Sequence, residues 1–263
     1  MADYQALVSG TEKIQDLDEY FLKFFDKKNL KDYAMDPDLN KEEKKAVRVL
    51  FESKRSMKER AEAAFEYDPL CREAFFVYLM LTEDVFLQYR FDSYYKQADN
   101  FADFSAHQKK SYLEILDYYI DFLDDIGNVT GAIRIAKMKG RLDSFDESLI
   151  SRLSLLYFYI EDAQEFYRLY LNHDFSFEDY LLLVATLLKH QDENKAKEVL
   201  LEMFEHVPYS DYIDHLWDLD EKDEEQRKVI ASLESVYEYL ASVPTLFSWA
   251  NKVKRDSGRA EEE

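Results

Sequence analysis

Residues that interrupt helices are scarce in this sequence. Its 263 residues include five glycines and four prolines. A protein built of many strands and tight hairpins needs more of both, because turns require a positive φ or a fixed φ. Apolar side chains also recur at the three- and four-residue spacing of a helix along almost the whole chain. The sequence therefore predicts an all-α protein whose helices are joined by short polar turns.

The charge of the chain is strongly negative. A formal net charge of -21 arises from 55 acidic and 34 basic residues. Hydrophobic residues still make up 47% of the chain, which is enough for a buried core. An acidic surface repels phosphate backbones, so the composition disfavours nucleic acid and favours a basic protein or peptide as the partner. A simpler interpretation is that the charge keeps a chain rich in Tyr and Phe soluble.

The cysteine content and the length of the apolar stretches indicate the cellular compartment of the protein. The single cysteine, Cys71, excludes an internal disulfide and a cysteine-rich zinc site, and its position near a helix start predicts a small buried side chain. The first residues, Met1 to Tyr4, lack the basic and apolar segments of a signal peptide. The longest apolar stretches, such as 181–188, are shorter than the roughly 20 residues that span a bilayer. These features predict a cytoplasmic protein without a membrane partner.

The most informative local pattern runs from Arg60 to Phe75. An Ala-rich helix is predicted to end at Tyr67, the dipeptide Asp68-Pro69 forces a turn, and another helix begins within three residues. This order of an Ala-rich helix, a proline and a new helix resembles the tetratricopeptide repeat, a unit of about 34 residues. The resemblance implies a right-handed α-α superhelix, which is a solenoid of antiparallel helix pairs.

Units of this kind recur along the chain. The clearest covers residues 177–210, with a polar turn at 190–194, and the unit before it carries Ser154 where the repeat has a small residue. A further unit has its turn at Gly127-Asn128. The unit starts fall near residues 38, 72, 113, 147 and 177, at spacings of 34, 41, 34 and 30 residues. The longest spacing predicts an insertion at about 90–105.

The pattern divides the chain into four segments. They are an N-terminal helix and connector at 1–39, tetratricopeptide-like repeats at 40–210, C-terminal capping helices at 211–254 and a disordered acidic tail at 255–263. Asn40 is predicted to cap the first repeat helix together with Glu43. Capping helices, predicted at about 224–240 and 245–254, are expected because stacked repeats leave an apolar face exposed at each end.

Adjacent aromatic residues form a separate pattern. Phe75-Phe76 and Tyr118-Tyr119 are examples among many such doublets. Neighbouring residues on a helix point about 100° apart, so both rings of a doublet cannot face one packing seam. The sequence therefore predicts that one ring of a doublet usually packs in the core, while the other lies on a flank or lines a groove.

Patterns typical of catalysis or metal binding are missing from the sequence. No two of the five histidines are three or four residues apart, the spacing that presents two imidazoles to one metal ion. The pairs Asp211/His215 and Glu202/His206 share a helix face, but such pairs arise readily among 55 acidic residues. Five glycines form no phosphate-binding loop, and Cys71 has no histidine near it in the sequence. The sequence thus predicts no catalytic residue, metal or cofactor.

In tetratricopeptide proteins the first helices of successive units line a concave groove. Carried onto this sequence, the resemblance assigns the groove to Glu73, Phe76, Met80, Ser148, Ser151, Leu155, Glu178, Leu181 and Ala185. One subset of the family grips the carboxylate end of its peptides with Lys and Asn at such positions. This chain has Ser151, Leu155, Leu181 and Ala185 there instead, so a clamp for an acidic peptide tail is disfavoured.

These observations predict a protein- or peptide-binding adaptor or scaffold that is not an enzyme. Its groove would bury apolar anchors of the partner, and acidic rims would steer basic residues toward it. The main alternative is an intracellular peptide sensor or regulator that acts through protein contacts, and an α-helical enzyme is a third. The sequence also leaves open a homodimer formed through an uncapped end of the stack.

Overall fold

A computed structural model describes residues 37–50, 56–81, 84–207 and 224–260. Within these ranges the chain forms α-helices and one short 3₁₀ helix, with no strand. The all-α prediction is therefore confirmed for the described residues. The chain separates into two compact units, Met1–Asp143 and Ser144–Glu263. None of the helices in the described ranges is both long enough and apolar enough to cross a membrane.

The first unit contains six of the described α-helices. They are α1 (Lys41–Leu50), α2 (Met57–Tyr67), α3 (Arg72–Leu81), α4 (Asp84–Tyr95), α5 (Ala106–Asp125) and α6 (Val129–Leu142). A 3₁₀ helix, Ala98–Asp103, lies between α4 and α5. The main packing pairs are α1 with α2, α2 with α3, and α5 with α6. The predicted turn at Asp68-Pro69 is confirmed, because α2 ends at Tyr67 and α3 begins at Arg72.

The second unit also contains six of the described α-helices. They are α7 (Glu147–Tyr159), α8 (Ala163–Tyr170), α9 (Phe177–Lys189), α10 (Glu193–His206), α11 (Glu224–Leu240) and α12 (Leu246–Ala260). Helix α7 packs against α8, and α9 packs against α10. Helix α9 also contacts both α7 and α11, so these three helices touch in the order α7, α9, α11. Helix α12 contacts α9 and α10.

Three of the turns between paired helices are built in the same way. In each, one residue adopts the left-handed conformation, namely Gly127 (φ 75°), Glu161 (φ 54°) and Gln191 (φ 60°). The next residue caps the following helix with its side chain, and these residues are Asn128, Asp162 and Asp192. The N–H of each capping residue also donates to a carbonyl five residues earlier, which closes the preceding helix as in a Schellman motif. The left-handed residues are 34 and 30 positions apart.

Side-chain caps also fix where several other helices begin. The backbone N–H groups of Glu42 and Glu43 donate to Asn40 Oδ1 at 2.8 and 3.0 Å, so the predicted cap at Asn40 is confirmed. Ser105 and Ser176 form capping boxes at the starts of α5 and α9. A helix that starts with its free N–H groups satisfied needs less stabilisation from packing.

The predicted boundaries agree with the structure in some places and differ in others. Helices α7, α9 and α11 begin at 147, 177 and 224, as the sequence predicts. Helix α5 begins at Ala106, seven residues before the predicted unit start at 113, because Ser105 caps it there. Helix α12 continues to Ala260, so residues 255–260 of the predicted disordered tail are helical. Predictions for residues 1–36, 208–223 and 261–263 fall outside the described residues.

The prediction for aromatic doublets is wrong at two prominent sites. Phe75 and Phe76 are both buried, and so are Tyr118 and Tyr119. Phe75 contacts the ring of Tyr94 in α4 at 5.0 Å between centroids, whereas Phe76 contacts Tyr118 in α5 at 4.8 Å. Helix α3 is therefore covered on two sides, and each side takes one ring of the doublet.

Candidate functional site

The structure divides the predicted groove residues into two groups. The first group is buried, with relative exposures of 0 to 1%, and comprises Glu73, Phe76, Leu181 and Ala185. Helix α9 packs against α7, α10 and α11, which leaves Leu181 and Ala185 closed to a ligand in this conformation. The prediction treated one flank of each first helix as open, but neighbouring helices cover that flank here. The side chain of Met80 lies outside the described residues.

The second group lies at the surface. Ser148 is exposed, and Ser151, Leu155 and Glu178 are half-buried. Ser148, Ser151 and Leu155 follow one side of α7, at the i, i+3 and i+7 spacing of a helix face, and we call them the α7 face. Glu178 lies in the first turn of α9, the helix that packs beside α7. This part of the predicted groove can meet a partner.

A buried carboxylate ties the α7 face to α9. Asp179 Oδ2 accepts hydrogen bonds from Ser176 Oγ at 2.8 Å and from Ser151 Oγ at 3.1 Å. Burial raises the pKa of Asp179 above its ordinary value, while hydrogen bonds from Ser176 and Ser151 act in the opposite direction. Asp179 thus fixes both the start of α9 and its contact with α7. Asp179 was not predicted from the sequence, although Ser-x-x-Asp before an apolar run is a helix-start signal.

A cleft of about 720 Å³ opens elsewhere in the second unit. It is bounded by the start of α7, the loop between α8 and α9, and one side of α10. We call it the aromatic-acidic cleft after the residues that characterise its lining, which are Phe145, Glu147, Tyr170, Asp174, Phe175 and Glu202. None of these residues was assigned to the predicted groove. Their meeting depends on helix pairing, so spacing along the chain gives little sign of it.

Aromatic residues are among those that line the cleft, but the rings of Tyr170 and Phe175 are buried and pack in the core behind it. Tyr170 and Phe175 meet edge to face, with ring centroids 5.7 Å apart at an interplanar angle of 68°. Phe175 contacts Tyr180 of α9 in a similar way at 5.8 Å. At the other wall the rings of Phe145 and His173 lie 4.7 Å apart. Such contacts hold the rings in defined orientations.

One acidic side chain of the cleft, Glu202, is held by a tyrosine hydroxyl. Tyr170 Oη donates a hydrogen bond to Glu202 Oε2. Burial, followed by this bond, raises the pKa of Tyr170 far above its ordinary value. Burial also raises the pKa of Tyr180 to about 12, with Glu202 and Asp174 adding to the shift. Both phenols therefore remain protonated at neutral pH, and the charge of the cleft comes from its carboxylates.

The structure also describes residues considered above as candidates for metal binding or catalysis. The described residues contain no group of three or more His, Cys, Asp or Glu arranged to hold a metal ion. Cys71 is buried, as predicted. Burial, followed by the charges of Glu73 and Asp68, raises the pKa of the Cys71 thiol well above its ordinary value. The thiol therefore stays protonated at neutral pH, which suits packing better than nucleophilic attack.

Comparisons with known proteins add no assignment to this picture. No protein-family model, curated protein or solved structure matches the chain.

Proposed function

We propose that this chain is a protein- or peptide-binding adaptor made of tetratricopeptide-like helix pairs. The observation that carries the proposal is the turn that recurs at Gly127, Glu161 and Gln191, at spacings of 34 and 30 residues. The contacts of α7, α9 and α11 in sequence order are typical of first helices in stacked repeats. Stacked helix pairs present extended surfaces to other proteins, and binding is the usual role of such surfaces.

The α7 face is the surface that fits this role best. Leu155 offers a half-buried apolar contact, flanked by the small polar side chains of Ser148 and Ser151. The net charge of -21 favours a partner that is basic around this apolar anchor.

Parallel affinity purification tests the proposal with a matched pair of variants. Leu155→Arg removes the apolar contact and adds a positive charge to the α7 face. Gln164→Arg adds the same side chain at an exposed position of α8 that is not part of this face. We expect a set of proteins that co-purifies with the wild type and the Gln164→Arg variant but is lost from Leu155→Arg. Circular dichroism checks that all three proteins are equally helical.

Two outcomes of the affinity purification would contradict the proposal. Recovery of the same proteins with all three baits would show that the α7 face binds none of them. Recovery of no specific protein by the wild type, under gentle conditions in its own cells, would overturn the adaptor function itself.

A further inference from the structure

Helix α1 carries a row of positive side chains along its solvent side. Lys41, Lys44, Lys45 and Arg48 recur at three- and four-residue spacing, so they fall within an arc of about 100° around the helix. Lys41, Lys45 and Arg48 are exposed, and Lys44 is half-buried. Leu50, which is fully buried, lies on the opposite side of the helix. We call the four cations the basic stripe.

Neither folding nor solubility explains the basic stripe. Within the described part of the chain, none of its four cations forms an ion pair or a side-chain hydrogen bond. Lys41 and Arg48 each neighbour both Lys44 and Lys45 on the helix surface, and such like-charged neighbours destabilise a helix. Positive charge also brings a chain with a net charge of -21 closer to neutrality, which does not improve its solubility. The stripe therefore favours a role in binding.

An exposed aromatic ring lies beside the basic stripe. Tyr67 is the last residue of α2, which packs against α1, and it is 46% exposed. Lys45 Nζ lies 5.8 Å from the centre of the Tyr67 ring, within the range of a cation–π contact. Tyrosine is among the residues that contribute most to binding in protein interfaces. This surface therefore combines unpaired positive charge with an open apolar contact.

The size of the stripe limits what can bind there. Lys41 and Arg48 are seven residues apart, which is about 10 Å along a helix. A short segment with a few carboxylates spans this distance. A membrane or a nucleic acid is far larger, so it also meets the rest of a chain whose net charge of -21 repels it. Charge complementarity therefore favours a short acidic segment of a protein.

We propose that the basic stripe and Tyr67 dock a short acidic segment of a partner protein, with its carboxylates paired to the cations and an apolar side chain packed on the Tyr67 ring. The α7 face favours a basic partner, so the stripe gives the chain a second surface of opposite preference. An adaptor that joins two proteins needs two such surfaces. The inference goes beyond the proposed function by naming a second partner, and it can be tested without the α7 face.

Fluorescence anisotropy with three matched peptides tests the ligand. The probe is a short fluorescein-labelled peptide that carries glutamates at i, i+4 and i+7 and one leucine among alanine and serine residues, titrated with the full chain. The second peptide replaces glutamate with glutamine, which keeps the shape of the side chain and removes its charge, and the third replaces leucine with serine. We expect the glutamate peptide to bind, the serine peptide to bind several-fold more weakly, and the glutamine peptide not to bind.

Matched protein variants locate the site. Lys41→Gln combined with Lys45→Gln removes two exposed charges from the stripe, and the control combines Lys96→Gln with Lys110→Gln at exposed positions of the same unit. We expect the stripe variant to weaken binding of the glutamate peptide about five- to tenfold and the control to change it less than about twofold. The Tm of the stripe variant should be no lower than that of the control, because its substitutions remove repulsion within α1. Loss of binding is thereby separated from loss of folding.

Several results would overturn the inference. Equal binding of the glutamate and glutamine peptides would remove the role of charge, and equal binding of the leucine and serine peptides would remove the role of Tyr67. Equal weakening by the stripe variant and its control would show that the stripe has no specific role. If the glutamate peptide does not bind while Leu155→Arg still loses partner proteins, the adaptor function stands and the stripe proposal fails.

Other classes of partner are distinguished by parallel measurements. Tighter binding to vesicles of phosphatidylserine and phosphatidylcholine, or to single-stranded DNA, than to the glutamate peptide would overturn the choice of a protein segment. Light scattering tests whether a second copy of the chain is the partner. Self-association of the wild type that is lost in the stripe variant would overturn the proposal of a different protein.

Discussion

Two buried aspartates make the stability of the folded chain depend on pH. Asp68 and Asp179 are almost completely buried. Burial raises the pKa of both carboxyls above the ordinary value, although hydrogen bonds from Gln108 and Ser176 partly oppose this effect. Ionisation of either group therefore costs more in the folded chain than in the unfolded chain. The stability that each group contributes falls as the pH rises through its raised pKa.

The first prediction concerns the pH dependence of Asp68. Asp68→Asn keeps an acceptor for Gln108 but cannot ionise. Relative to this variant, the wild type should be most stable below its unfolded pKa of about 3.8 and should lose that advantage as the pH rises through the raised pKa of the folded chain. Urea unfolding of both proteins between acidic and neutral pH measures the difference. A difference that is constant, or that grows with pH, would contradict the assignment.

The second prediction concerns the cap at Asp179. Asp179→Ala removes the acceptor for Ser176 and for Ser151 of α7, so we expect a loss of about 2 kcal/mol in unfolding free energy. Glu178→Ala, one position earlier at a half-exposed site, should change the free energy by less than about 0.5 kcal/mol. Chemical denaturation provides both values. Equal effects of the two substitutions would show that Asp179 makes no special contribution.

Sequence reasoning at the scale of single residues succeeds where the cause is local. The cap at Asn40 and the burial of Ser154, the small residue of its repeat, follow from short patterns. Leu181 and Ala185 are instead buried in a helix that packs against several others, among them α11, which begins more than thirty residues further along the chain. The aromatic-acidic cleft is hidden for the same reason, because it joins Phe145, Tyr170 and Glu202 from separate elements.

At the scale of elements, the recurring turn is the main finding. The sequence identifies Gly127 as a turn, because glycine adopts a positive φ without strain. At Gln191 the sequence predicts the polar turn but not its positive φ, and at Glu161 it predicts neither, because a side chain makes a positive φ costly. The three turns therefore share a backbone conformation that their residue types conceal. What makes the last two recognisable is the following aspartate, which caps the next helix.

The third prediction concerns the residue at the left-handed position of these turns. Gln191→Gly should stabilise the chain by about 0.5 kcal/mol, because glycine relieves backbone strain but gains freedom in the unfolded state. Gly127→Ala should destabilise it by about 1 kcal/mol. A Cβ atom at Gly127 would meet nothing within 4 Å, so this cost belongs to the backbone alone. Thermal unfolding of both variants measures the effects, and shifts of the same sign would contradict this view of the turn.

The start of α5 shows why boundaries are harder to predict than helix types. Alignment to the repeat length sets a unit start near 113, yet the helix begins at Ala106. The capping box of Ser105 and Gln108 starts it earlier and gives the longest of the described helices. The local cap thus determines where the helix begins more strongly than the repeat length does. The Ser-x-x-Gln pattern is visible in the sequence, but its serine falls at the end of the predicted insertion.

At the scale of the whole molecule, net charge affects stability as well as partner choice. A charge of -21 makes the acidic groups of a compact chain repel one another, and added salt screens this repulsion. The fourth prediction is therefore a Tm that rises by several degrees between low salt and about 0.3 M salt. Sodium chloride and choline chloride should act alike, since screening needs no specific cation. A Tm that falls or stays constant with salt would contradict a dominant role for this repulsion.

The fold class could be predicted because its causes are spread along the entire chain. Helical periodicity and the scarcity of glycine and proline indicate an all-α protein regardless of how the helices meet. Pairing of helices across short turns also follows, as at α9 and α10. The packing of α9 against both α7 and α11 does not follow, because several arrangements of amphipathic helices bury comparable apolar area.

The most direct test of the adaptor proposal is the affinity of a purified partner, once affinity purification has identified it. Its dissociation constant is measured by calorimetry against the wild type, Leu155→Arg and Gln164→Arg at several salt concentrations. We predict that the Kd rises with salt, increases at least about tenfold in Leu155→Arg, and is unchanged in Gln164→Arg. A Kd that is indifferent both to salt and to Leu155→Arg would contradict binding of a basic partner through the α7 face.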